Sequence, residues 1–133
     1  MGGNFYQNQP AIPMFTAVTL TGAAAGNQKT FTTAGFDKIA LDFNYAMGAA
    51  ESANKIHFTL EASPDGGINW YSLIIDSTSA VSALTPRIWE YTGTGKFNVL
   101  VDIAYRDMRL SIYESGVAVN AGTATVVATL SGL

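Results

Sequence analysis

The chain has 133 residues, of which 48% are hydrophobic and only 13% charged, with a net charge of −3 and no cysteine. A single domain of this length buries about two thirds of the surface its unfolded chain exposes, and without thiols it has no disulfides, zinc–thiolate centres or cysteine nucleophiles. Seven Lys and Arg residues scattered singly lack the clustering that phosphate neutralisation requires, and no apolar run approaches the roughly 20 residues of a membrane span, so neither nucleic acid nor a membrane is an expected partner.

Residues 1–14 are rich in Gln and Asn and carry Pro10 and Pro13, each of which removes a backbone donor and restricts the residue before it. They also carry Phe5, Tyr6, Ile12 and Met14, followed by Phe15, which is too apolar a set for a solvated tail. An extended arm lying on a neighbouring surface is expected, with these five side chains as its contacts and residues 15–133 forming one domain. The opening residues hold neither a charged segment nor an apolar one of the kind a signal peptide needs.

Beyond the arm the chain is a string of strands. Phe15 to Thr21 and Gln28 to Thr33 flank a Gly/Ala loop. From Lys38 to Met47, Ile39, Leu41, Phe43 and Tyr45 alternate with polar or small residues, and Ile56, Phe58 and Leu60 repeat the pattern. Ser63-Pro64-Asp65-Gly66-Gly67 is a turn, with proline presetting φ, Asp able to accept backbone hydrogen bonds and the glycines supplying positive φ. It makes Lys55 to Ile75 a β-hairpin whose return strand opens at Trp70-Tyr71. Phe97, Val99, Val101 and Ile103, then Met108, Leu110 and Ile112, then Ala124, Val126, Ala128 and Leu130 continue the period of two. Half-buried strands at this spacing define an antiparallel β-sandwich, jelly-roll-like, of about eight strands.

No catalytic set emerges. The single histidine, His57, alternates with Lys55, Thr59 and Glu61 and reads as an exposed strand position, and most of the acids fall on outward positions or strand ends. No enzyme activity, metal or cofactor is expected. Trp70 is expected to plug one end of the sandwich and Trp89 to pack between the sheets; the alternative is that Trp70, Tyr71 and Trp89, which lie near loops, stack on sugar rings. The charge content, about half the usual ~25%, fits either a surface partly covered in an assembly or a polar face built from neutral Thr, Ser and Asn.

The run Leu60-Glu61-Ala62-Ser63-Pro64-Asp65-Gly66-Gly67-Ile68-Asn69-Trp70-Tyr71-Ser72-Leu73 resembles a pattern in small β-sandwich proteins of tailed-bacteriophage virions. In those proteins a strand ends in Ser-x-Asp-Gly and Trp-Tyr opens the return. Tyr105 to Ile112 is similar to their closing segment, and Phe36 to Phe43 adds a third match. The resemblance implies a noncatalytic virion protein of the capsid-decoration (cement) type, assembled in the host cytoplasm. It would bind the major capsid protein or another virion protein, as a homo-oligomer with a trimer favoured. A tail accessory or fibre-base protein and a carbohydrate-binding module are the alternatives.

Overall fold

The computed structural model describes residues 11–33, 35–48, 54–74, 87–103, 107–115 and 121–132. They form nine strands: β1 (Ala11–Thr19), β2 (Gln28–Thr32), β3 (Lys38–Ala46), β4 (Lys55–Ser63), β5 (Tyr71–Ser72), β6 (Trp89–Thr92), β7 (Gly95–Asp102), β8 (Asp107–Ser115) and β9 (Thr123–Ser131). A short 3-10 turn, Ala24–Gly26, lies between β1 and β2. One sheet has the order β1-β9-β3-β7, the other β2-β8-β4-β5, with β6 also on β4. β6 pairs with Lys55 to Phe58, and β5 with Glu61 and Ala62, while β8 occupies the opposite edge of β4. The nine strands therefore fill eight positions in two sheets, and the chain alternates between the sheets from β1 to β4 and again from β6 to β9. This is the strand order of a jelly roll.

The alternation read from the sequence is the alternation of burial. Ile39, Leu41, Phe43 and Tyr45 of β3 face Ile56, Phe58 and Leu60 of β4 and Met108, Leu110 and Ile112 of β8 in one core. Parallel-stacked rings cross that core in a line, Tyr91 on Phe97 (centroids 4.3 Å apart), Phe97 on Phe43 (4.7 Å), Phe43 on Phe58 (4.6 Å) and Phe58 on Trp89 (5.1 Å). Each such pair adds about 0.5–1.5 kcal/mol beyond its buried area. The line ties β6 and β7, which run along the same side of the sandwich, to the central strands β3 and β4. That side is consequently held from within.

The expected arm is corrected in its second half. Residues 11–14 belong to β1, which pairs with β9 from Ala11 to Thr19. Met14 and Phe15 are both buried in the core, and Ile12 packs against it. Two neighbouring residues bury together because register shifts on either side of Phe15 break the period of two, and Ala17 in the same stretch adopts a positive φ of 45°. Those bulges hid the strand from a reading based on alternation. Phe5 and Tyr6 lie outside the described residues.

The hairpin forms where the turn residues put it, with Ala62 opposite Tyr71 and Glu61 opposite Ser72. Gly66 and Gly67 take φ of 76° and 95°, a region closed to most side chains. Asp65 Oδ1 accepts from the Asn69 backbone N–H (2.9 Å) and the Ser63 hydroxyl (2.8 Å), and Oδ2 accepts from Asn69 Nδ2 (2.7 Å). Ser63 Oγ in turn accepts from the Gly67 N–H at 2.8 Å. The Asn69 backbone and side chain, with Ser63 adding to them, hold the Asp65 carboxyl down at about 2. A depressed carboxyl stabilises the loop above the ordinary carboxylate range and loses that effect as pH falls through its folded value, here near 2. Asp65→Ala is expected to speed exchange of the Asn69 amide by roughly ten-fold or more while strand amides keep their protection, as hydrogen-exchange mass spectrometry would show.

Candidate functional site

Two regions of the described surface are set apart from the rest. The first is the side of the sandwich formed by β5, β6, β7 and the hairpin loop. The exposed large hydrophobics among the described residues are Ile68 (79% exposed) in the hairpin loop, Tyr71 (60%), Ile74 and Ile88 on or beside β5 and β6, and Leu100 (76%) on β7, where it faces outward from the four-stranded sheet. Leu100 sits on β7, which is the edge strand of its sheet, and the backbone N–H of Arg87 reaches the carbonyl of Leu73, bringing Ile88 beside the end of the hairpin. Large apolar side chains left exposed on and beside edge strands mark a candidate contact surface.

The second region is a cleft of about 380 Å3 between β2 and the hairpin loop, lined by Thr30, Thr32, Gly66, Gly67, Trp70 and Asp107 together with Phe31. Register builds it. Thr30 lies opposite Arg109 and Thr32 opposite Asp107, so the hydroxyls and the carboxylate share one outward row of the five-stranded sheet. Glu61 stands across from Arg109 on the other side, and its Oε1 accepts from Nη2 (2.8 Å) and Nε (2.9 Å). That bond fixes a guanidinium which carries the Trp70 ring, 4.8 Å from its centroid. The indole is therefore oriented from beneath and does not plug the end of the sandwich.

The other aromatic candidates are separated from this cleft. Trp89 lies opposite Phe58 on the inward face and packs, partly buried, against the core, with Arg87 5.3 Å from its ring, as the packing reading expects. Tyr71 lies with the apolar side. A larger depression, about 460 Å3, lies on the outer face of the four-stranded sheet, but there the Asp42 carboxylate already accepts from Asn98 Nδ2 at 2.7 Å.

Two polar groups differ from their sequence reading. His57 is not exposed: its side chain is 13% accessible, stacked on Tyr113 at 4.8 Å, with Nε2 2.6 Å from Ser115 Oγ. Burial lowers its pKa, opposed by the Glu90 carboxylate and reinforced by Lys55. Glu114 is buried and points between the sheets. Its Oε2 accepts from the Tyr45 hydroxyl (2.5 Å) and the Gly48 N–H (3.2 Å), and Oε1 from the Gly122 N–H (2.8 Å). Burial resists its ionisation, but these bonds outweigh it and hold the carboxyl below its usual range. Burial and the adjoining carboxylate push the Tyr45 phenol up. With its acceptors engaged and no access to solvent, Glu114 joins β8 to β3 and to the segments before β4 and β9. It acts as a structural clamp between the strands. His57 stands between the Ser115 hydroxyl, 2.6 Å from Nε2, and the Glu90 carboxylate, 3.6 Å from Nδ1, and the described residues hold no cluster of three or more His, Asp or Glu suited to a metal.

No protein-family model matches the chain, and no curated protein matches it in sequence.

Proposed function

We propose that this chain is a noncatalytic structural protein of a bacteriophage virion, of the capsid-decoration type, attached through the apolar side of its jelly roll. The observation that carries this reading is the exposure of Tyr71, Ile74, Ile88 and Leu100 on or beside the edge strands β5, β6 and β7, which the stacked rings brace from within. The hairpin, part of which resembles phage sandwich proteins, carries Tyr71 and Ile74 and, in its loop, the exposed Ile68. Mechanical attachment needs a stiff body with a surface to cover, and both are present. Each side chain covered on docking contributes about 1.5–3 kcal/mol before association costs.

The test is co-sedimentation of the purified protein with phage heads lacking it. The wild-type protein is expected to bind saturably, and the double variant Leu100→Asp/Ile88→Asp to bind at least roughly 100-fold more weakly. Because both side chains already face solvent, the variant's unfolding midpoint should stay near wild type. Equal binding by the two proteins would remove this side from the mechanism, and a lack of binding by either would remove the head as partner.

A further inference from the structure

We propose that the cleft between β2 and the hairpin loop is a binding site for a neutral saccharide, a function separate from attachment through the apolar side. Sugar rings present a C–H face that packs on an aromatic plane and a rim of hydroxyls that needs fixed donors and acceptors. The cleft supplies both. Trp70 lines it, oriented by the Arg109 guanidinium that Glu61 holds. The Asp107 carboxylate lines it too and has no hydrogen-bond partner among the described residues, so its acceptors are open to adjacent sugar hydroxyls. Thr30 and Thr32, both exposed, place two further hydroxyls along the same row.

Charge decides the ligand class. Among the described residues Arg109 is the cation beside the cleft, with its Nε and Nη2 both engaged by Glu61, and the charge lining the cleft is the carboxylate of Asp107. An anionic sugar would face that charge, whereas a neutral hexose would donate to it. The volume of about 380 Å3 lies within the ~300–1,000 Å3 range of small-molecule clefts. The loop wall is set in advance by the Ser63–Asp65–Asn69 bonds, so little ordering is required on binding.

The experiment follows the Trp70 indole N–H signal by NMR during titration with glucose, galactose, mannose and N-acetylglucosamine, with glucuronate as the anionic comparison. Trp70→Phe assigns the signal. At least one neutral hexose is expected to shift it saturably, with glucuronate weaker. Asp107→Asn should weaken that binding by roughly ten-fold while leaving the denaturation midpoint unchanged. Trp70→Ala should abolish it, and Asp107→Asn keeps the test decisive if that variant unfolds. The proposal is overturned if no neutral sugar moves the signal, if glucuronate binds more tightly than every neutral sugar, or if Asp107→Asn binds as well as wild type. None of these results depends on whether the protein attaches to a phage head.

Discussion

Glu114→Ala is expected to lower the folding free energy by about 3 kcal/mol, measured by chemical denaturation at neutral pH. The substitution removes the acceptor for three groups at once: the Tyr45 hydroxyl and the amides of Gly48 and Gly122. Each is left unpaired where water replaces the lost bond poorly. Glu114→Gln keeps an acceptor at the same place and should cost less. The sign of the pH effect follows from the depressed carboxyl of Glu114. Its stabilisation is complete above the unfolded pKa of about 4.3 and is lost as pH falls through the lower folded value. Unfolding midpoints of wild type and Glu114→Gln should therefore converge in acid. Gly122→Ala strikes the same clamp from the backbone side. A Cβ there would lie 2.5 Å from both the Ala46 carbonyl oxygen and Glu114 Oε2, so β9 would have to shift.

Phe58→Ala is expected to cost about 4 kcal/mol. Phe58 is fully buried, stacks on Phe43 from the opposite sheet and carries Trp89 on its other side. Its loss leaves a cavity in the middle of the ring line and removes the internal support of β6. Tryptophan emission should shift to the red in the folded variant as Trp89 gains water, which distinguishes this lesion from a uniform loss of stability. If the variant were destabilised with unchanged emission, Trp89 would not depend on Phe58 for its burial.

Most of the sandwich was legible because its strands obey the period of two. Ile39 to Tyr45 and Met108 to Ile112 were read as core and are core. Proline, Asp and two glycines placed the hairpin because each imposes a backbone geometry by itself. Leu100 falls between Val99 and Val101 on the outward parity of β7 and is among the most exposed apolar side chains described. What failed did so where parity is broken or where chemistry crosses it. The bulges of β1 bury Met14 beside Phe15, so a true strand looked like part of an arm. Glu114 continues the buried parity of Met108, Leu110 and Ile112, a signal present in the sequence that its charge obscured. The cleft was beyond reach, because Thr30, Trp70 and Asp107 meet only through the pairing of β2 with β8 and the fold of the hairpin loop.

Hydroxyl-radical footprinting of the protein, free and bound to phage heads, tests the docking surface most directly. Oxidation of Leu100, Ile88, Ile74 and Tyr71 is expected to fall sharply on binding, while Ile12 on β1, at the edge opposite β7, keeps its free-protein reactivity. Undiminished oxidation of the four, with Ile12 protected instead, would contradict attachment through the apolar side.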